Sequence, residues 1–370
     1  MHCRISFVTC RCYEATVKKI QTCIGSSPIW ISVDETTDAC GRYITNFIVG
    51  ALSPTQSSTP FLLNTEALSA ANHSTIAKFV VDSLNILWPA RLENDKVLLF
   101  LSDAAPYMVK SGKALCVLFP KMVHVTCLAH AIHRVAEDIR DAFPTVDKLI
   151  ATVKKVFVKA PYRVLRFKEM APGVPLPPEP ILTRWGTWIK AALYYAQHFE
   201  VVSKVIMDLD AEAAAAISAA QELVQNGEVR NNLIYIAANF HRIPESITKL
   251  ETQGVALCDS LSVIESLRVD FDSGCGDAVK RANQKLQKTL EKNSGYEVMK
   301  TIAAVLEGKV VEAPEGLDLS DVAAYKFAPA SSADVERSFS RFKNLLSDRR
   351  RLLTVEHIKW LLVIYANTDL

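Results

Sequence analysis

Two short apolar segments that each lead to an aspartate constrain the fold of this chain more than any other feature. Residues 29–33 form a β-branched and aromatic segment before Asp34, and residues 97–101 form an apolar segment before Ser102 and Asp103. Such segments predict buried strands. Because ligands of open α/β sheets bind outside the carboxyl ends of the strands, we expect Asp34 and Asp103 to lie where chemistry occurs.

The order of the surrounding segments predicts the fold class. The expected elements are strands over 29–34, 43–52 and 60–65, a helix capped by Ser74 or Thr75, a strand over 97–101, a helix over 109–118 and a strand over 122–126. This β-β-β-α-β-α-β order is typical of the ribonuclease-H-like fold. In that α/β architecture, a third carboxylate comes from a later helix packed beside the sheet.

Two aspartates alone do not define an active site, because an aspartate after a strand is commonly a turn residue or a helix cap. A third acidic group is present in the segment SSADVERSFSRF. Val335, Phe339 and Phe342 mark one apolar helix face there, and Glu336 lies beside that face. We expect Glu336 at the edge of a buried helix face; the alternative is a solvent-exposed helical glutamate.

Strand patterns stop after about residue 140, and helical periodicity dominates up to about residue 325. The proline-rich segment 171–181 is expected to be an extended connector, because residues before proline avoid the helical conformation. Arg184 and Trp185 follow this connector. The pair is consistent with core packing beside a solvated charge, or with stacking on and clamping of a nucleic-acid strand.

Cys127, His130 and His133 follow the fifth predicted strand at three-residue steps, which places them on one helical face. A Cys-x-x-His pair can contribute half of a zinc site, and a histidine at this position can contact a phosphate. The alternative is a buried thiol with a histidine at the edge of the core. The sequence contains no second pair with ligand spacing, which favours the alternative over metal binding.

Composition restricts the location and partners of the chain. A net charge of +2 gives no global attraction to nucleic acid, so any basic surface must be local. The nine cysteines are mostly isolated in apolar context, as is typical of reduced intracellular thiols. Cys3, Cys10 and Cys12 lack partners with finger spacing, so no zinc is expected. No stretch approaches the roughly 18 apolar residues that span a bilayer, which predicts no membrane association and a nuclear or cytosolic location.

The C-terminal segment carries a local excess of positive charge. Residues 336–359 contain seven basic and three acidic side chains, a balance that suits a phosphate backbone or, equally, a solvated helix surface. The last predicted helix, over 354–367, has a wide apolar stripe that its own core or another chain must cover. The basic residues are Arg337, Arg341, Lys343, Arg349, Arg350, Arg351 and Lys359.

Five stretches, each weak alone, together resemble the hAT superfamily of DNA transposases, the hobo and Activator group, from about residue 13 onwards. They are SVDETTD, LSDAAPYMVKSG, CLAHAIHRVAEDI, LTRW and SSADVERSFSRFKNLLSDRRRLL. The resemblance implies that Asp34, Asp103 and Glu336 form a DDE triad. It also implies a ribonuclease-H-like mixed sheet interrupted by a large all-α insertion domain. The implied regions are an N-terminal stub and helix over 1–27, the first part of the core over 28–140, the insertion over 141–325, and the closing helix with a dimerisation region over 326–370.

The resemblance further implies residues that contact DNA and a self-association surface. Cys127 and His130 match the family's Cys-x-x-His motif, and Trp185 matches the tryptophan that supports a hairpin intermediate. Residues 330–370 match the dimerisation region, which predicts a homodimer or higher oligomer. The residues expected to contact DNA are Arg184, Trp185, Cys127, His130, Arg337 and Arg341.

Clustered carboxylates repel one another unless a divalent cation neutralises them, and hard oxygen ligands select Mg²⁺ or Mn²⁺. Two such ions roughly 3.5–4 Å apart activate a water or a 3′-hydroxyl and stabilise the leaving oxygen during in-line attack on phosphorus. The implied triad therefore predicts two ions bound by Asp34, Asp103 and Glu336. The expected reaction is cleavage and transfer of DNA strands.

The sequence also departs from the family that it resembles. It lacks the Cys-x-x-Cys and His spacing of a BED-type zinc finger, residues 1–12 do not resemble the family, and His133 replaces a common asparagine. Three functions remain open. They are a transposase catalytic core, a catalytically silent transposase-derived protein that dimerises and acts on chromatin or other proteins, and a structure-specific nuclease.

Overall fold

The computed structural model describes residues 2–38, 40–181, 184–309, 312–345 and 354–368, with side chains from residue 8 onwards. Within these ranges the chain forms a five-stranded sheet and sixteen α-helices. The predicted mixed α/β class is confirmed. No helix in the described ranges has the length and apolar character that crossing a bilayer would require.

The strands are β1 (Ile29–Thr37), β2 (Tyr43–Ala51), β3 (Phe61–Leu68), β4 (Val97–Ser102) and β5 (Val123–Thr126). The helices of the first half are α1 (His2–Ile24), α2 (His73–Leu87), α3 (Pro106–Leu118), α4 (Leu128–Ala142), α5 (Pro144–Phe157), α6 (Pro161–Met170) and α7 (Thr187–Asp208). The remaining helices are α8 (Ala215–Gln225), α9 (Gly227–Phe240), α10 (Ile243–Glu251), α11 (Leu257–Ser273), α12 (Asp277–Glu291), α13 (Ser294–Leu306), α14 (Leu319–Ala324), α15 (Ala333–Leu345) and α16 (Val355–Ala366).

The sheet has the order β3-β2-β1-β4-β5. The first three strands are antiparallel and are joined without an intervening helix, whereas β4 and β5 run parallel to β1 after helical crossovers through α2 and α3. This order and these directions are those of the ribonuclease-H-like fold that the sequence predicted. The sheet therefore brings the carboxyl ends of β1 and β4 to one edge.

Strand β1 is longer than predicted. We expected it to end at Asp34, but it continues to Thr37, because its antiparallel pairing with β2 persists to the Thr37–Tyr43 pair. The parallel pairing with β4 stops earlier, at the Ser32–Leu101 pair. Asp34 is therefore still paired with β2, but it lies beyond the last residue of β1 that pairs with β4.

Both faces of the sheet are covered. The odd-numbered residues Ile29, Ile31 and Val33 of β1 belong to a core shared with α1, α2 and α3. Helix α15 packs against β1 and β2, and alternation along β1 assigns it to the opposite face, the face of Asp34. All six residues of β4 are buried, as expected for a strand covered on both faces.

Helix ends depart from the predictions in three places. Asn72, and not Ser74 or Thr75, caps α2, because its side chain accepts from two backbone N–H groups and forms a capping box with Thr75. Helix α3 begins at Pro106, three residues before the predicted start, since proline is well suited to the first turn. Helix α1 begins at His2 and includes the predicted N-terminal stub.

The chain divides into two compact units. Unit 1 consists of Met1–Ala129, Leu250–Val263 and Leu290–Leu370, and its described part contains the whole sheet with α15 and α16. Unit 2 consists of His130–Lys249 and Ile264–Thr289, and its described part contains helices and no strand.

The apolar stripe of the last helix is partly covered within unit 1. Helix α16 packs against β3 and α1, and Ile358 and Leu362 are buried. The Asn367 side chain closes the helix onto β3, because its amide donates to the Leu62 carbonyl at 2.9 Å and its oxygen accepts from the Leu62 N–H at 3.2 Å. The core of unit 1 therefore covers part of the predicted stripe, and Tyr365 of the same helix stays exposed.

Candidate active site

The two strand aspartates lie at the same level of the same sheet edge. Ser32 pairs with Leu101 across the parallel β1–β4 ladder. Asp34 and Asp103 each stand two residues beyond that pair on neighbouring strands. Strand register alone therefore brings the two carboxylates close together.

Asp103 is fixed by the turn that follows β4. Its Oδ1 atom accepts a hydrogen bond from the Ala105 N–H at 3.1 Å, and α3 starts at the next residue, Pro106. Asp103 is therefore both a turn residue and a member of the acidic edge, that is, the sheet edge at which Asp34, Asp103 and Glu336 lie. The two roles that the sequence left open do not exclude each other, because one carboxylate oxygen makes the turn and the other is available.

Glu336 approaches Asp34 from the first turn of α15. Asn46, the partner of Asp34 across the β1–β2 ladder, donates its side-chain N–H to the Ser338 hydroxyl at 2.7 Å. This bond is fully buried and fixes α15 over the sheet. The structure joins Asp34 and Glu336 by a side-chain hydrogen bond, so the three predicted acidic residues meet at one place.

Burial and like charge dominate the electrostatics of this cluster. The side chain of Asp34 is almost inaccessible, with 9% relative exposure. Burial, followed by the negative charges of Glu336 and Asp103, raises the pKa of Asp34 well above its usual value.

A fourth carboxylate, Glu35, joins the cluster from the other face of β1. The Tyr107 hydroxyl of α3 donates a hydrogen bond to Glu35 Oε1, and Glu35 also faces the charge of Asp103. Burial and the negative charge of Asp103 raise the pKa of Glu35, although the bond from Tyr107 opposes them. Burial, together with the bond to Glu35, raises the pKa of Tyr107, so this hydroxyl remains a donor.

The donor set of this edge has the chemistry that a hard divalent cation requires. It consists of carboxylate and amide oxygens, and two of its buried atoms, Glu35 Oε2 and Asn46 Oδ1, make no hydrogen bond to the described residues. In the arrangement that the described residues adopt, no group of three or more acidic, histidine or cysteine side chains is spaced to hold a metal ion. Asp34, Asp103 and Glu336 are the residues that would hold the cation.

The two residues of the predicted Cys-x-x-His motif lie in different surroundings. Cys127 belongs to unit 1, is buried, and its sulfur accepts from the Ser332 N–H at 3.2 Å, one residue before α15. Its own N–H donates to the Ser102 carbonyl at 2.9 Å. Cys127 thus connects the end of β4 to the start of the helix that carries Glu336, and this supports the interpretation as a buried thiol.

His130 belongs to unit 2 and contacts Trp185. The two rings are tilted by 58° with centroids 4.4 Å apart. Trp185 is partly buried and Arg184 is exposed. His133 lies one turn later, with its ring 3.7 Å from the Glu137 carboxylate. Unit 2 therefore combines a histidine–tryptophan pair with a neighbouring exposed cation.

The two arginines of α15 are also exposed. Arg337 donates to Asp334 at 2.7 Å and to the Glu251 carbonyl, and Arg341 donates to the Ala366 carbonyl. Of the other predicted basic residues of this segment, Lys343 is exposed and Lys359 lies 3.4 Å from Glu66. Arg349, Arg350 and Arg351 lie outside the described residues, as does the side chain of Cys3.

Three residues of the acidic edge were absent from the sequence prediction, namely Glu35, Asn46 and Tyr107. Glu35 directly follows Asp34, and alternation along a strand sends its side chain to the opposite face. Tyr107 stands one residue after the proline that starts α3. The only signal for Glu35 was a second acid beside the first; nothing in the sequence marked Asn46 or Tyr107.

The strand order and the acidic edge together define an α/β protein with ribonuclease-H-like topology. Residues 10–156 match the family described as a domain of unknown function, DUF659. This domain is associated with transposase-like proteins. No curated protein matches the chain. The matched range contains the whole sheet with Asp34 and Asp103 but not Glu336, so the match concerns the strands and not the closing helix.

Proposed function

We propose that this chain is a transposase-like protein of the hAT type that cleaves and transfers DNA strands with Mg²⁺ or Mn²⁺. The observation that supports it is the meeting of Asp34, Asp103 and Glu336 at the carboxyl edge of a ribonuclease-H-like sheet. A stable fold gains nothing from three carboxylates around one buried position, because burial and the neighbouring negative charges raise the pKa of Asp34. Such an arrangement favours a role in binding a cation and a phosphate.

The chain's own residues would divide the work as follows. Asp34 and Asp103 offer oxygens from neighbouring strands, and Glu336 closes the set from α15. When bound, the divalent cation supplies a polarised water or 3′-hydroxyl and neutralises charge on the reacting phosphate. Tyr107 holds Glu35 beside Asp103. Tyr107 and Glu35 are therefore positioning residues.

DNA contacts are proposed at two places. Arg337 and Arg341 lie on the helix that carries Glu336, and Arg184 lies beside the His130–Trp185 pair of unit 2. Cys127 is buried, so its contribution to DNA binding is to position the start of α15. Because its proposed substrate is DNA, we expect the protein to be located in the nucleus.

Self-association through residues 330–370 stays a prediction. Because Ile358 and Leu362 of α16 are buried within unit 1, whereas Tyr365 on the same helix is exposed, association would use the exposed part of this segment. Sedimentation velocity at micromolar concentration measures the oligomeric state directly. A monomer under those conditions would remove the dimer from the proposal and leave the carboxylate chemistry unaffected.

Cleavage of branched and hairpin DNA by the purified chain tests the proposed chemistry. We expect nicking with Mg²⁺ or Mn²⁺, none with EDTA, and none for Asp103→Asn. Asp95→Asn is the matched control, because Asp95 is exposed and lies just before the opposite end of β4. Equal nicking by wild type and Asp103→Asn would reject the proposed triad.

The catalytically silent alternative makes a different prediction for the same assay. It expects DNA or protein binding without any nicking, under every metal tested. Binding without cleavage by a wild-type chain whose Asp34 and Asp103 are intact would therefore decide for the silent protein.

A further inference from the structure

A second concave site lies on the other side of α15 from Glu336, entirely within unit 1. It encloses about 350 Å³, a size suited to a small ligand. Its polar side is formed by Arg337, Arg341 and Asp334 of α15, and its apolar side by Ile48, Pro60 and Phe61. A site with cationic donors on one side and apolar carbon on the other matches the phosphate and the sugar or base of a nucleotide.

The side chains that line this site carry a net positive charge, which favours binding of an anion. Asp334 is neutralised by Arg337 at 2.7 Å, and its Oδ1 also accepts from Gln253. Among the described residues, no carboxylate lies within ion-pair distance of Arg341. The net charge of the lining is therefore positive and centred on the Arg341 guanidinium.

The Arg341 guanidinium is held in place by one hydrogen bond and keeps further N–H donors for a ligand. A guanidinium has five N–H donors, and only the one to the Ala366 carbonyl is engaged within the described residues. This bond fixes one end of the planar group and leaves the remaining N–H donors for an oxyanion. Fixed guanidinium groups bind phosphate in a bidentate manner, at lower entropic cost than a free side chain.

The cavity and the acidic cluster both involve strand β2. Ile48 lines the site and stands two residues along β2 from Asn46, the cross-strand partner of Asp34. Two strand residues cover roughly 7 Å, which is about the rise of two nucleotides along one strand of B-DNA. We propose that this cavity binds a phosphate of the nucleic-acid strand, close to the phosphate at the carboxylates. The identity of the ligand as nucleic acid rests on the proposed function; the phosphate site itself does not.

Cys23 provides a direct readout, because its exposed thiol also lines the cavity. The full chain is alkylated with N-ethylmaleimide in EDTA, and modification of each cysteine is followed by mass spectrometry. We expect thymidine 5′-monophosphate to slow alkylation of Cys23 at least threefold and thymidine to have no effect. Cys275, which is exposed in unit 2, is the internal control.

The variant Arg341→Gln should lose the protection of Cys23, and Arg341→Lys should keep part of it. Lys343→Gln is the matched control, because Lys343 is exposed on the same helix and does not line the cavity. Slow alkylation of the buried Cys127 reports that each variant is folded. Equal protection by thymidine, or unchanged protection in folded Arg341→Gln, would overturn the phosphate site.

A ten-nucleotide single strand distinguishes nucleic acid from a free mononucleotide. Protection at a nucleotide concentration at least tenfold below that of thymidine 5′-monophosphate is expected for a strand, and equal concentrations would reject the strand and leave a mononucleotide site. Because no divalent cation is present, the result is separate from cleavage. Protection without cleavage would reject the proposed chemistry only, whereas cleavage without protection would reject this cavity only.

Discussion

Asp34 and Asp38 stand four residues apart on one β-hairpin, yet their surroundings are opposite. Burial raises the pKa of Asp38, but hydrogen bonds from the backbone and guanidinium of Arg42 and from the Cys40 N–H outweigh it and hold the pKa below its usual value. Asp34 accepts the Glu35 N–H at 2.8 Å and faces the carboxyl groups of Glu336 and Asp103. One aspartate stabilises a turn, and the other is held at a cost to stability.

The difference teaches how a functional carboxylate can be recognised physically. A structural carboxylate is surrounded by donors, so its pKa falls and its charge contributes to folding. A carboxylate with a raised pKa and acidic neighbours opposes folding at neutral pH, and a cation is the partner that would offset this cost. The following predictions test whether this contrast between Asp34 and Asp38 is real.

The largest expected effect is on catalysis. Asp34→Asn should reduce metal-dependent DNA nicking by more than the roughly 10–100-fold typical of residues outside the first coordination shell, because it removes a proposed cation ligand. Asp38→Asn should leave nicking within a few-fold of wild type. Initial rates on the same branched DNA decide the matter, and comparable losses in both variants would erase the contrast.

The next effect is on folding. Asp38→Ala should lower the free energy of unfolding by about 1.5–3 kcal/mol, the range for hydrogen bonds to a charged group, because it removes the acceptor of the hairpin turn. Asp34→Asn should instead raise the urea midpoint of the metal-free protein at pH 8. Urea denaturation followed by circular dichroism measures both, and a lower midpoint for Asp34→Asn would contradict the strain assigned to Asp34.

A smaller effect is expected from Tyr107→Phe. The variant removes the donor to Glu35 and should weaken Mn²⁺ binding by about tenfold, the lower end of the range for supporting residues. Tyr162→Phe is the control, because Tyr162 is 77% exposed on α6. Calorimetric titration gives both affinities, and identical values would remove Tyr107 and Glu35 from the site.

The smallest effect is a change in the slope of stability with pH. The folded pKa of Asp34 is raised, so the folded state binds more protons above the usual value of 3.8 and stability falls as pH rises through the raised pKa. The folded pKa of Asp38 is lowered, so its contribution is lost only as pH falls below 3.8. Melting temperatures of metal-free wild type and Asp34→Asn should therefore diverge from pH 4 upwards, and parallel curves would refute the assignment.

Much of this site could be predicted from sequence because it depends on strand order and periodicity. The apolar segments before Asp34 and Asp103 determine two parallel neighbours, and the position of Glu336 beside an apolar helix face determines which way it can point. These apolar patterns predict the strands and the helix face correctly because burial of apolar side chains stabilises each of them. The structure brings the three residues together at the predicted edge.

The remaining features depend on packing between distant segments, which periodicity does not encode. Glu35 joins the cluster only because α3 places Tyr107 against it, and Asn46 matters only because Ser338 lies above it. Cys127 reads as half of a metal site in the sequence, but its sulfur accepts from the Ser332 N–H. A strand boundary such as Thr37 is set by its partner strand, so the predicted end at Asp34 was wrong.

The position of Glu336 on α15 has a consequence during synthesis. The ribosome makes both aspartate-bearing strands first and reaches the closing helix only on the order of 10–50 s later, at ordinary elongation rates. A nascent chain can therefore complete its sheet while still lacking the third acid. On the proposed function, a nascent chain therefore cannot cut DNA until α15 has been translated.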